Sequence, residues 1–491
     1  MVISGKEVNL VCAKYRAGME VTMNELKQFF KQWIAISTIL VTMAIFYSAS
    51  NTASASALEI GNSISQSKTT DTIPQQLNVH IGEDASNSVN ITYTTKSDTA
   101  KTTAAIHKTG DFNIQYIDGT SRRGCKGKYF HSIQVEGLSP DTQYDYTVGE
   151  GNSSYSGTFK TALPKGSSNS FRFGYIADPQ VSDACNAKAL GATLEKIKER
   201  NYDFVYLAGD ITDTASDESQ WELLFKNNGK YPEGGQDLFS STLISVTQGN
   251  HDNSELSQHI HTPAQAGDIV YSFDYGCAKF IILNSESAGK SKSERTKQTD
   301  FLRKMVSEAK ADNQWVIVGF HKAIYSGASH IVDRDIIKAR KYWSPILSNL
   351  NVDLVLQGHD HVYSRGFITD KGKKNDPSAK SDGSFAKPDR SPLYVVGGHA
   401  GGLKWYSKIP YSVARNDPLT KHYSFLDINS ADTHSDQKKE QTFIEFEMDP
   451  AHFTMNTYMF KYNTKTDSIT TDTYLYDSIT LTKNIASPAN P

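Results

Sequence analysis

Five apolar runs in the C-terminal two thirds of the chain each lead into a residue able to donate a lone pair to a metal ion. FRFGYIA is followed by Asp178, YDFVYLAG by Asp210, LISVTQG by Asn250, WVIVGF by His321 and VDLVLQG by His359, with His361 two positions further on. Two carboxylates, one amide and three imidazoles combine hard oxygen with borderline nitrogen donors, a set suited to Zn, Fe or Mn rather than Ca. In an open α/β sheet, ligands bind beyond the carboxyl ends of the strands, so groups spread over about 180 residues can still converge. Two cations sharing one Asp would acidify a bridging water and stabilise charge in an in-line displacement at phosphorus.

Taken singly, each motif has an ordinary structural reading. An Asp after a buried strand often caps the next helix, Gly249-Asn250-His251-Asp252 contains turn residues, and a single His321 can be a satisfied core histidine. Gly358-His359-Asp360-His361 carries more, because in an extended loop the i and i+2 side chains fall on one side and reach adjacent ions. The ordered combination is what points to a metal centre.

The elements that must position these groups follow from changes of period. After the loop 164–168, apolar strands alternate with amphipathic stretches over 183–200, 293–311 and 333–349, which predicts an α/β domain with helices on the faces of its sheet. Late segments YSFLDIN, TFIEFEMD, HFTMNTYMF and TYLYDSITL alternate again and predict antiparallel strands, while 369–391 and 429–441 read as polar insertions. From Leu77 to Thr161, short alternating runs separated by turn clusters predict a small β-sandwich.

Composition sets the outer limits. The 491 residues are 38% hydrophobic and 21% charged, which excludes disordered, collagen-like and multi-span membrane classes. With 51 Lys and Arg against 54 Asp and Glu, the chain offers no basic platform for nucleic acid. Residues Trp33 to Tyr47 form an apolar run preceded by Lys27 and Lys31 and followed by Ala53-Ser54-Ala55 and Ala55-Ser56-Ala57. That order predicts a signal peptide over 1–57, cleaved near Ala55 or Ala57, then a linker over 58–72, and a secreted or cell-envelope protein. The run is shorter than the ~20 residues of a span, so no stable membrane anchor is expected. Export would leave Cys125, Cys185 and Cys277, an odd number whose spacing matches no zinc module.

The series D-x-Q, G-D-x-x-D, G-N-H-D, H and G-H-x-H is similar to that of the calcineurin-like metallophosphoesterase superfamily. With a β-sandwich in front and Val362-Tyr363-Ser364-Arg365 behind, the mature chain most resembles the purple acid phosphatase branch. Residues 131–150, HSIQVEGLSPDTQYDYTVGE, also resemble the tyrosine-bearing corner of fibronectin type III domains, beside which a generic Greek-key sandwich remains open. The resemblance implies a four-layer α/β/β/α sandwich over 170–485 behind a small all-β sandwich over 73–165.

By the same resemblance, two metal ions are held per chain, one by Asp178, Asp210 and His361, the other by Asp210, Asn250, His321 and His359. The implied reaction is hydrolysis of a phosphate monoester by metal-activated hydroxide, with His251, the motif imidazole left without an ion, protonating the departing alkoxide. The substrate would be a phosphorylated small molecule or nucleotide. His330 stands where relatives place a substrate-contacting histidine, a surface histidine being the alternative. Arg365 and Tyr363 are expected to pack the loop rather than bind phosphate, and Gly397 to Gly402 read as a flexible loop near the site.

Two departures from the family pattern matter. Gln180 replaces a frequent His or Gly, and Asp213 stands where purple enzymes carry a tyrosine ligand. No tyrosinate-to-Fe(III) absorption is therefore expected, and Asp213 becomes a candidate to orient His251. A phosphodiesterase or nucleotidase would use the same groups, and an inactive secreted binding protein would rely on the β-sandwich. The sequence leaves the oligomeric state open.

Overall fold

Runs such as FVYL, LISV and WVIVG lack polar alternation because both of their faces are covered. The computed structural model describes residues 71–98, 100–226, 234–373, 375, 377–401, 404–407, 428–429 and 439–483. Phe171–Ile176, Phe204–Leu207 and Leu243–Val246 run parallel and adjacent in an eleven-stranded sheet. In a seven-stranded sheet, Ala278–Ile282, Trp315–Gly319, Leu354–Gln357 and Leu393–Gly397 are likewise parallel.

The period of two sorts the side chains of the second sheet between two cores. Phe280, Ile282, Ile317, Leu354 and Leu356 join the core that also holds Phe173, Phe204 and Phe446 of the first sheet. The intervening Ile281, Val316, Val318 and Val355 pack with Leu302, Val306, Trp343 and Leu347 of the helices Lys292–Ala311 and Arg334–Asn349. Helix Ala184–Lys198 packs on the first sheet, over Gln441–Met448 and His452–Asn463. The result is a metallophosphoesterase-type α/β fold in four layers. Asp183 starts its helix by accepting from Asn186 N at 2.9 Å, and Ser291 does the same from Glu294 N at 3.3 Å.

The late strands Gln441–Met448, His452–Asn463 and Ser468–Thr482 pair antiparallel and extend the first sheet beyond Phe171–Ile176. Of the two insertions, 369–391 contributes the short strand Phe385–Ala386 among its described residues, and 429–441 lies mostly outside the described residues. The signal peptide expected over 1–57 lies outside them as well, and so does the linker up to residue 70. No described helix is long and apolar enough to cross a membrane. Cys125, Cys185 and Cys277 form no disulfide.

The N-terminal part is all β and divides into two sheets as expected of a sandwich, but one of them is continuous with the large sheet. Gln115–Asp118, Thr103–Lys108, Gln143–Glu150 and Ser153–Lys160 make a separate four-stranded sheet. The other strands are continuous with the large sheet. Gln75–Ile81 pairs in parallel with Leu243–Val246, and Val89–Thr95, Tyr129–Val135 and Thr120–Arg123 follow outward. This covers an edge whose N–H and C=O groups would otherwise be unpaired. Tyr144 accepts a hydrogen bond from Ser139 N at 2.8 Å, the geometry of a tyrosine corner.

Candidate metal centre and active site

The side chains singled out by type all stand just past the carboxyl ends of parallel strands. Asp178 follows Phe171–Ile176, Asp210 follows Phe204–Leu207, Asn250 follows Leu243–Val246, His321 follows Trp315–Gly319, and His359 follows Leu354–Gln357. The turns that carry them are strained. Asp178, Asp210 and His359 have φ of 50°, 47° and 70°, a left-handed region costing about 1–3 kcal/mol for residues with a Cβ. Hydrogen bonds hold two of these turns: Asp178 Oδ1 accepts from His359 N at 3.0 Å, and Asp210 Oδ1 accepts from His251 N at 2.8 Å. Gly209 must also be small, because a Cβ there would lie 2.7 Å from Gly249 N and 2.8 Å from His321 Nδ1.

The donors converge. His321 Nε2 lies 3.3 Å from Asp210 Oδ2 and 3.1 Å from Asn250 Oδ1. One donor atom each from Asp210, His321 and His359 fits within 4.8 Å of the others. His361 Nε2 lies 3.6 Å from Asp178 Oδ1. Asp178, Asp210, His321, His359 and His361 are buried, and Asp178 Oδ2 has no hydrogen-bond partner in the protein. A buried, unpaired carboxylate oxygen among imidazoles is costly unless a cation neutralises it, so the donor set fits transition-metal ions.

The second ring nitrogens prepare the imidazoles for this role. His321 Nδ1 is 2.8 Å from Ala208 O and His361 Nδ1 is 2.5 Å from Lys404 O, contacts that direct Nε2 of each toward the carboxylates. Burial works to raise Asp210, but the facing His321 ring and the His251 N–H hold it below its ordinary value. Burial works to lower His321, yet the Asp210 charge beside it pushes it up to about 10. His359 is held well below its ordinary value by burial and by His321 nearby, so its ring is neutral and ready to ligate.

His251 is half-buried, with Nδ1 2.7 Å from the backbone carbonyl of Asp213 and 3.5 Å from its carboxylate. The closer orienting contact is thus made by the main chain, while the Asp213 carboxylate accepts from the Gln180 amide at 3.1 Å. The His330 ring lies 4.7 Å from His359, and its Nδ1 is 2.7 Å from Asp333. Arg365 turns away from phosphate chemistry: Nε and Nη2 contact the Asp477 carboxylate at 2.6 and 3.0 Å, and Tyr363 donates to the same group.

Three further residues shape the site without having been singled out by sequence. Asp252 is buried and accepts from Gly249 N at 2.9 Å and Ile211 N at 3.0 Å, tying the second and third motif loops together. Burial and the Asp210 charge push it up to about 7. His399 stacks on His361 at 4.0 Å and is kept neutral by burial, while Tyr406 stacks on His361 at 4.5 Å and meets His330 edge-on at 4.8 Å. Asp252 was legible as the last letter of G-N-H-D. The loop from Gly397 to Gly402, expected near the site, is the one that carries His399, whereas nothing in the local sequence around Tyr406 announces a place there.

Residues 171–363 match the calcineurin-like phosphoesterase family, and residues 74–162 match the purple acid phosphatase N-terminal domain. Purple acid phosphatase 21 of Arabidopsis thaliana is 25% identical over 365 residues, covering 69% of this chain and 75% of that protein. Purple acid phosphatase 1 of Ipomoea batatas is 23% identical over 366 residues, covering 67% and 72%. In structure, a purple acid phosphatase from yellow lupin (Lupinus luteus) seeds superposes with a TM-score of 0.61 at 16% identity, over 84% of this chain and 75% of that one, a likeness of fold. The chain carries a calcineurin-like phosphoesterase domain, that of a phosphate-ester hydrolase, behind a purple acid phosphatase N-terminal domain, and its relatives are purple acid phosphatases.

Proposed function

We propose that the protein is an exported phosphomonoesterase with a binuclear metal centre, Asp178, Asp210 and His361 holding one ion and Asp210, Asn250, His321 and His359 the other. The observation that carries this reading is the buried Asp178 and Asp210 pair among His321, His359 and His361, with Asp178 Oδ2 left unpaired. The donors favour Fe, Zn or Mn. When bound, the ions supply Lewis acidity and an acidified water for attack at phosphorus.

The rest of the chemistry falls to the chain's own groups. With Nδ1–H donated to Asp213 O, His251 carries its transferable proton on Nε2 and delivers it to the departing alkoxide. Asp213 steadies His251 through its carbonyl and Gln180 through its carboxylate. His330, fixed by Asp333, contacts the substrate at the mouth of the site. Two domains, 73–165 and 170–485, remain after removal of the leader near Ala55 or Ala57.

Metal analysis combined with turnover of p-nitrophenyl phosphate and of bis-p-nitrophenyl phosphate tests the proposal. The natural protein should bind two ions and prefer the monoester. Asp210→Asn should lose bound metal and turnover while keeping a native circular dichroism spectrum. A fully metal-loaded protein that hydrolyses neither ester would overturn it.

A further inference from the structure

A second cluster of metal-capable side chains lies where the N-terminal β-rich part meets the helices of the catalytic domain. Cys125, in the turn Cys125–Gly127 between Thr120–Arg123 and Tyr129–Val135, directs Sγ to Glu218 Oε2 at 3.2 Å. His259, at the end of the short helix Leu256–His259, brings Nε2 to the same oxygen at 2.9 Å. Glu218 and His259 are buried and Cys125 is partly so, and one donor atom from each lies within 4.8 Å of the other two. None of the three belongs to the metallophosphoesterase motifs.

The surroundings are organised as a metal site requires. His259 Nδ1 donates to Glu255 O at 2.9 Å, so Nε2 is the ring nitrogen that faces the carboxylate. Two acceptors at 2.9 Å repel unless a proton or a cation sits between them. The other Glu218 oxygen is clamped by Lys128 Nζ at 2.7 Å and Gln76 Nε2 at 2.6 Å, which fixes the direction of Oε2. Trp221 stacks on the His259 ring at 3.9 Å and holds its plane. A ligating imidazole whose other N–H meets a carbonyl, and a carboxylate held by its second oxygen, are the outer contacts that orient metal ligands.

We propose that Cys125, Glu218 and His259 form a second metal site, one that takes a zinc-type ion and cross-links the two parts of the molecule. A thiolate, an imidazole and a carboxylate are a borderline-soft set suited to Zn²⁺, which ordinarily takes four ligands. A water supplies the fourth. Binding releases two protons to solvent, the thiol proton of Cys125 and the proton shared by His259 and Glu218, and the ion takes their place. The site sits next to the Gln75–Ile81 strand through Gln76, so the ion ties the added sheet edge to helix Glu218–Lys226.

Cobalt loading of the full chain tests this independently of the catalytic centre, whose donors are all nitrogen and oxygen. The expected result is a near-ultraviolet thiolate-to-cobalt charge-transfer band in the natural protein and one more equivalent of bound cobalt than in Cys125→Ser. The band should disappear in Cys125→Ser and in His259→Gln, while turnover of p-nitrophenyl phosphate stays near the natural rate. Absence of the band in natural protein saturated with cobalt overturns the proposal without any substitution. A band that survives Cys125→Ser overturns it too.

Discussion

At the scale of single residues, His321, His361 and His251 all present Nδ1 to a backbone carbonyl, so their division of labour rests on what else each ring meets. Nε2 of His321 and of His361 lies 3.3 and 3.6 Å from Asp210 and Asp178, whereas the ion pair of His251 is with Asp213, through Nδ1 at 3.5 Å. His251→Ala should therefore lower kcat far more for an alkyl phosphate, whose alkoxide leaves poorly, than for p-nitrophenyl phosphate. A loss of about 10²–10⁴-fold for the alkyl ester is the range for a missing general acid. Equal losses for both esters would assign His251 to electrostatic stabilisation instead. The metal content of the variant should not change.

At the scale of elements, the motif glycines let adjacent strand-to-loop turns crowd together. Gly209 has φ +85° and no room for a Cβ, while Gly110 has nearly the same φ, +83°, with nothing within 4 Å. Comparing Gly209→Ala with Gly110→Ala thus separates crowding from backbone strain. Both should lose about 1–3 kcal/mol in urea denaturation from the left-handed backbone. Only Gly209→Ala should lose more than that, together with bound metal and turnover, because its methyl group pushes on Gly249 N and the His321 ring. The helices were legible at this scale: segments expected at 183–200, 293–311 and 333–349 form Ala184–Lys198, Lys292–Ala311 and Arg334–Asn349, since long amphipathic stretches carry their own period.

At the scale of the whole molecule, the N-terminal strands complete the main sheet, and the junction buries a histidine. His80, on Gln75–Ile81, donates through Nδ1 to Ile81 O at 2.6 Å, and its Nε2 lies 3.2 Å from the Tyr271 hydroxyl of the other sheet. Burial pushes its pKa down to about 3 from an ordinary 6.5. Below pH 6.5 the unfolded chain takes up a proton that the native ring refuses, so stability falls as pH drops from 6.5 toward about 3. The slope from this one group approaches about 1.4 kcal/mol per pH unit. His80→Gln should flatten the acid limb of a urea-midpoint profile over that window, and an unchanged slope would show that the native ring titrates normally.

What the sequence determined by itself was the chemistry and its ordering. Asp178, Asp210, Asn250, His321, His359 and His361 follow apolar runs, and local period together with the rule for strand ends places them past the carboxyl ends of strands, which the structure divides between two sheets. The tertiary structure alone decided which atoms meet. It set the backbone carbonyl of Asp213 rather than its carboxylate closest to His251, brought His399 and Tyr406 onto His361, and paired the strand Gln75–Ile81 with Leu243–Val246. It also gathered Cys125, Glu218 and His259 across about 130 residues of chain, where cysteine spacing offered no hint. The physical reason is common to all of these. A periodic pattern reports which face of an element is buried, but a contact between loops depends on distances through space that no local spacing encodes.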